Sequence, residues 1–364
     1  MKQIIEDRRA LHQIPEIGLD LPETTAYVLN ALSGLRCEVT QPIDCSACAY
    51  FDFGAAHTIA FRGDMDALPV TEKTGLEFAS RHPGKMHACG HDGHTAMLLE
   101  LARQLDAMEK APVNVLLIFQ PAEETIGGAE PICRTGVLQK YGVEAVFAQH
   151  LWPEVPYGEI GTLPGPMMAR TSEVTVDIFG KSSHIGRPKE GINAMTAAVK
   201  FLDRCDQLEK GLPPETRRIM GFGRMESGTA RNAISEHSHI EGTVRAYHDK
   251  VFDFLTGAMD GIGESVAKET GCRVEIHRTE GYPAVVNDEA LLKRVEEHTG
   301  RQFYRLPEPT MIAEDFSWYQ KEVPGIMFFL GIGGEISLHS EKFVFDEKIL
   351  TQGADFFRSI VETW

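Results

Sequence analysis

The sequence predicts an α/β protein, in which a mixed, largely parallel sheet covered by helices carries an inserted ferredoxin-like α+β domain. Two observations lead there. Near-continuous apolar runs at Thr58–Phe61, Val113–Phe119, Ala145–Ala148 and Ile326–Leu330 read as strands buried on both faces. Between the third and fourth of these lies a different pattern, half-buried strands and amphipathic helices in the order β-α-β-β-α-β, which is the ferredoxin-like unit. A chain of 364 residues is long for a single core, so two domains are expected.

In chain order, Ile4–Leu11 and Thr24–Leu32 space their apolar residues as helices do. The loop His12–Gly18 between them carries turn residues. Thr58–Phe61 ends at Arg62-Gly63-Asp64-Met65-Asp66. A helix is expected after Asp92, with Ala96, Leu98, Leu99, Ala102 and Leu105 as its buried side. Asp92 is placed to cap that helix, accepting the free amides of its first turn. In the inserted domain Glu173–Phe179 alternates as a strand and Ile192–Leu208 reads as a helix. Arg218–Glu226 and His239–Tyr247 are strands, Val251–Glu269 a helix and Cys272–His277 a strand. The linkers are Thr162–Pro166 and the stretch around Gly281–Pro283, giving a catalytic domain of residues 1–167 and 283–364 around an insert of 168–282.

Composition narrows the function. The net charge of -17 argues against a nucleic-acid partner, because phosphate backbones call for Lys and Arg. No apolar stretch approaches the roughly 18–20 residues of a membrane helix, so no membrane partner is expected. Met1–Ala10 lacks the apolar core of a signal peptide. Seven scattered cysteines fit a reducing cytoplasm. Cys45 and Cys48 form a lone CxxC with no second pair at zinc-ribbon spacing, and are read as buried or partly exposed thiols.

The chemistry gathers past the apolar runs. Open α/β sheets bind ligands beyond the carboxyl ends of their strands, and Cys89, His91, Glu123, Glu124, His150 and His339 lie on separate segments, most of them in such places. Sulfur and imidazole favour a transition metal over magnesium or calcium. In Cys89-Gly90-His91 an extended backbone sends residues i and i+2 to one side; taken alone, the triplet reads better as a buried cysteine and a capping-region histidine. Glu123 and Glu124 follow a strand directly. Their side chains are expected to diverge, one toward metal and one toward water. His150 is expected at a strand end. Asp64 and Asp66 are candidates to orient histidine ligands, or else to form the turn. His87 and His94 are either structural or support ligands. Each feature alone is weak; several falling at the same edge of one sheet are hard to obtain by accident.

Arg62-Gly-Asp-Met-Asp-Ala-Leu-Pro69 and Met86-His-Ala-Cys-Gly-His-Asp-Gly-His-Thr95 resemble the hippurate hydrolase and N-acyl amino acid amidohydrolase family. That family belongs with the aminoacylase and glutamate carboxypeptidase superfamily of dinuclear metallohydrolases. The resemblance continues through Gln120-Pro-Ala-Glu-Glu124, Gln149-His-Leu-Trp-Pro153, Gly180-Lys-Ser-Ser-His184, Gly242-Thr-Val-Arg245, Ala313-Glu-Asp-Phe316 and Leu338-His-Ser340. It implies two divalent transition-metal ions (manganese, zinc, nickel or cobalt) bridged by Cys89, with His91, Glu124, His150 and His339 completing the two shells. Glu123 would be the general base, and His184, on an insert that serves as lid and dimerisation domain, would stabilise the tetrahedral intermediate. Asn232 and Arg245 would bind a substrate carboxylate or the oxyanion. The implied activity is hydrolysis of N-acyl amino acids or related small conjugates by a homodimer. A dipeptidase or carboxypeptidase with the same metals, and a non-catalytic metal-dependent binding protein, are the alternatives. Two departures stand out: Ile312 where the family has glycine, and a Ser182–Gly186 loop that is not the Gly- and Ala-rich version.

Overall fold

The structure, a computed structural model, describes residues 2–364. The chain opens with helices α1 (Lys2–His12) and α2 (Pro22–Leu32). Strands β1 (Glu38–Thr40), β2 (Ala47–Phe51) and β3 (Thr58–Asp64) follow, then α3 (His91–Ala107) and β4 (Asn114–Gln120). Short helices α4 (Ala129–Arg134) and α5 (Val137–Lys140) lead to β5 (Val143–Trp152), β6 (Ile160–Thr162) and β7 (Gly165–Met168). Next come β8 (Arg170–Phe179), α6 (Ala194–Gly211), β9 (Arg218–Ser227), β10 (His237–Ala246), α7 (Asp249–Thr270) and β11 (Arg273–Arg278). The chain closes with β12 (Val285–Asn287), α8 (Glu289–Thr299), β13 (Tyr304–Arg305), α9 (Ser317–Glu322), β14 (Gly325–Gly331) and α10 (Ile349–Thr363). Among the described residues no helix is long and apolar enough to cross a membrane.

Two compact units emerge. The larger holds residues 1–167, 286–309 and 314–364, the smaller residues 168–285 and 310–313. The smaller unit thus recruits a short returning segment, Thr310–Ala313, that lies apart in sequence from the rest of it.

In the larger unit an eight-stranded sheet has the order β1-β2-β4-β3-β5-β14-β6-β13. Its middle, β4-β3-β5-β14, is parallel throughout, while β1 and β2 add an antiparallel edge. Every residue of β3, β4 and β14 is buried, as expected of a sheet covered on both faces. Phe61, Leu117, Phe147 and Phe328 share one core with Leu98 and Leu101 of α3 and Phe356 and Phe357 of α10. Because the middle strands run the same way, Asp64, Gln120, Trp152 and Gly331 end them at one edge.

The smaller unit is a four-stranded antiparallel sheet of order β11-β8-β10-β9. Val174, Val176 and Ile178 of β8 pack with Ala197, Phe201 and Cys205 of α6 and with Leu255, Met259 and Val266 of α7. Helices connecting next-but-one neighbours in this strand order give the ferredoxin-like arrangement. Asn193 caps α6, its side chain accepting Met195 N at 3.0 Å.

Asp92 is not the cap of α3. Gly90 takes that place in the left-handed region (φ 89°), where a side chain would be strained and its Cβ would stand 3.0 Å from Leu151 Cδ1. Asp92 is the second residue of the helix. Its Oδ1 does accept one first-turn amide, that of Gly93 at 2.9 Å, while its Oδ2 is drawn to Arg8, 2.9 Å away, and His12, 2.7 Å away.

Candidate metal centre

The edge where β3, β4 and β5 end brings the candidates of the larger unit together. Ligand atoms of Cys89, His91 and His150 lie within 4.8 Å of one another, as do those of Cys89, Glu124 and His339, and those of His91, Glu123 and Glu124. Cys89 therefore belongs to two triads that share no other member.

The local backbone reaches this arrangement differently from the sequence expectation. Cys89 and His91 converge across the left-handed turn at Gly90, not along an extended strand. His150 lies inside β5, which runs on to Trp152, not past its end. Glu123 and Glu124 do not diverge. A left-handed Ala122 (φ 62°) turns the chain, and both carboxylates offer an oxygen to the same space as His91. The loop closes tightly because a Cβ on Gly128 would sit 1.9 Å from Pro121 O. His339, also left-handed (φ 66°), places Nε2 3.2 Å from Glu124 Oε1.

Hydrogen bonds fix the histidine tautomers. His150 Nδ1 donates to Leu151 O at 2.7 Å, so its Nε2 carries the lone pair and faces Cys89 Sγ at 3.3 Å. Burial holds the His150 pKa well below its ordinary value, which keeps it neutral. His94 accepts Leu151 N at 2.9 Å through Nε2 and donates Nδ1–H to Asp64 at 2.6 Å. Both His94 nitrogens are thus engaged, and it supports the site without offering a lone pair to it. Asp66 accepts the amides of Glu123 and Glu124, one on each carboxylate oxygen and both at 3.0 Å.

These residues fit a cation. His91 is fully buried, with Nδ1 3.4 Å from Asp66 Oδ1 and Nε2 3.8 Å from Glu124 Oε1, so acidic oxygens face both of its ring nitrogens. Burial by itself would lower the His91 pKa, but Asp64, Asp66 and Glu124 outweigh it and lift it to about 10. The pocket favours positive charge. Burial, then Glu124 and Glu123, push the Cys89 thiol well above its ordinary value; a cation against the sulfur would reverse this. Burial, then Glu314 and Glu124, likewise raise Glu123.

His87, two residues before Cys89, is buried with neither nitrogen hydrogen-bonded, and burial lowers its pKa to about 3. Arg62 opens the first of the resembling motifs and is not among the candidate ligands. It is buried inside β3 and bonded to Asp64, Gln120, Glu314 and Asp315. A charged residue in an otherwise apolar strand was the signal for it, since buried guanidinium requires partners.

The remaining candidates lie in the smaller unit. His184 is exposed and its Nδ1 accepts Gly186 N at 3.0 Å, so Nε2 carries the hydrogen. The backbone carbonyl of Asn232 accepts Ile185 N at 2.9 Å. Arg245 donates through Nη1 to Met311 O at 2.9 Å.

The chain is similar to known proteins over nearly its whole length. Residues 60–363 match the model of peptidase family M20/M25/M40. An uncharacterized hydrolase of Staphylococcus saprophyticus is 34% identical over 373 residues, covering 99% of this chain and 97% of its own. A crystal structure of the Bacillus subtilis YxeP protein, described as a dinuclear metal-binding peptidase of the M20 family, is 31% identical with a TM-score of 0.87, covering 100% and 99% of the two chains. An aminobenzoyl-glutamate utilization protein from Klebsiella pneumoniae, 20% identical with a TM-score of 0.71 over 100% and 96% of the chains, shares the fold. With a family match across most of its length and a clustered set of metal-ligating side chains, this chain belongs to peptidase family M20/M25/M40 and is a metal-dependent hydrolase of the peptidase and amidase kind.

Proposed function

We propose that the protein hydrolyses the amide bond of N-acyl amino acids or related conjugates at a dinuclear centre. The observation that carries this reading is Cys89, shared between the His91–His150 and Glu124–His339 triads, with Glu123 beside them. In this reading Cys89, as thiolate, would be shared by two ions. His91, His150, Glu124 and His339 would hold them, and thiolate with imidazole would favour manganese, zinc, nickel or cobalt over magnesium and calcium. When bound, such ions act as Lewis acids toward water and the scissile carbonyl.

Glu123 takes the proton of the attacking water and passes it to the leaving nitrogen. The C–N bond breaks, and a carboxylic acid and an amine leave. Asp66 holds the amides of Glu123 and Glu124, so base and ligand are oriented by one carboxylate. His184 enters as an oxyanion donor through its Nε2–H, and Asn232 and Arg245 as binders of substrate carboxylate or oxyanion. Arg245 donates to neutral partners, the Met311 carbonyl and the Thr243 hydroxyl, which leaves its charge for an anion.

A peptidase reading, with a dipeptide as substrate, is favoured by the description of the YxeP relative. Incubation with a mixed panel of N-acetyl and N-benzoyl amino acids and dipeptides, loaded with manganese or zinc, separates the two by mass spectrometry of the products. Cleavage of dipeptides alone would reject the N-acyl reading. No cleavage despite two ions per chain would favour a binding protein. We also infer a cytoplasmic homodimer joined through an edge strand of the smaller unit, for which light scattering is the direct check.

A further inference from the structure

The motif Ala313-Glu-Asp-Phe316 has no part in the ligand set, yet its two acids are buried beside the candidate base. Oxygens of Glu123, Glu314 and Asp315 lie within 4.8 Å of one another. Three carboxylates at that spacing repel strongly, and the arrangement needs a cation. Arg62 is that cation. Its Nη2 stands 2.9 Å from Glu314 Oε1 and 2.6 Å from Asp315 Oδ1, its Nη1 reaches Asp64 Oδ2 at 2.5 Å, and its Nε reaches Gln120 Oε1 at 2.8 Å. The acidic group is therefore not a third metal site, because a guanidinium already occupies it.

The two acids are used differently. Asp315 is an anchor: it accepts Gln120 Nε2 at 2.9 and 2.8 Å and Ala129 N at 3.0 Å, besides Arg62. Glu314 accepts Arg62 and Phe316 N, and both bonds fall on Oε1. Among the charges around Glu123, Glu314 has the largest effect.

We propose that Glu314 is a positioning residue for Glu123: held at Oε1 by Arg62 and the Phe316 amide, its side chain forms a fixed wall that confines the Glu123 carboxylate to the metal side. The same guanidinium reaches Asp64, which holds His94. One buried arginine thus sets the base and part of the ligand support together. This inference rests on Glu123 being the base.

The test is Glu314→Gln, which keeps the shape and removes the ionisable carboxyl group. It is read in the cobalt-loaded protein by metal stoichiometry, by the pH midpoint of the visible d–d spectrum, and by kcat and KM on whichever amide the wild type cleaves. The expected result is two ions per chain, KM within about twofold, kcat lower by about 10- to 100-fold, as for a misplaced reacting group, and a spectral midpoint moved to lower pH. Retained metal with an unmoved midpoint would overturn the proposal. So would loss of metal in step with activity, since Glu314 would then support the ligands. Should the Gln variant not fold, Glu314→Asp draws the carboxylate back by one methylene, and an unmoved midpoint and kcat there would overturn it equally. A wild type that holds two ions and cleaves no amide defeats the proposed function instead, and the spectral midpoint still decides the role of Glu314.

Discussion

Cys89 Sγ stands 3.3 Å from His150 Nε2, a nitrogen whose lone pair is directed there because Nδ1 is bonded to the Leu151 carbonyl. The sulfur is also a member of the Glu124–His339 triad, so its removal should disturb both halves of the centre. Cys89→Ala is expected to retain fewer than two ions per chain by mass spectrometry of the metal content. Two tightly held ions in that variant would reject the bridging role.

Glu123 lies within reach of His91 and Glu124 without belonging to either Cys89 triad. Glu123→Gln is expected to bind two ions and melt at the wild-type temperature while kcat falls by about 100- to 10,000-fold, the range for a general base. Turnover near the wild-type rate would remove Glu123 from that role.

Asp66 presents one oxygen to each of two successive amides. In Asp66→Asn one oxygen becomes an NH2 group, and one amide faces a donor. The expected cost is about 1–3 kcal/mol in urea unfolding of the metal-free protein. Metal should bind about 10- to 100-fold more weakly, as when support behind a ligand is lost. Unchanged unfolding and affinity together would mean that the loop is held by something else.

Acid stability should depend on Glu72. Burial alone would raise its pKa, but bonds from His12, Thr74 and the Ser80 amide outweigh burial and bring it down from the ordinary 4.5 to about 2. A depressed folded pKa means that the carboxylate contributes stability above about pH 4.5, lost as the pH falls through about 2. Glu72→Gln should therefore flatten the stability curve between those values and lower stability at neutral pH. Parallel curves for the two proteins would count against this assignment.

Much of this was legible in the sequence, for reasons that differ from place to place. Buried parallel strands must be apolar at nearly every position, so β3, β4, β5 and β14 announced themselves. The insert showed the alternation of a one-sided sheet. Because parallel strands deliver their ends to one edge, residues scattered from Cys89 to His339 were expected together. The antiparallel edge of β1 and β2 and the C-terminal helix α10 were not anticipated. The first two are short, and the apolar face of α10 is ordinary until its core partners are known.

The residue types alone determined which chemistry this chain is capable of, since a thiolate, imidazoles and paired carboxylates leave few other uses. Tertiary structure decided how they meet. The left-handed turns at Gly90, Ala122 and His339 aim the ligands, Leu151 sets two histidine tautomers, and Arg62 joins acids 252 and 253 residues away in the chain. None of these contacts leaves a periodic trace, because each depends on backbone torsions and on neighbours that only folding brings within reach.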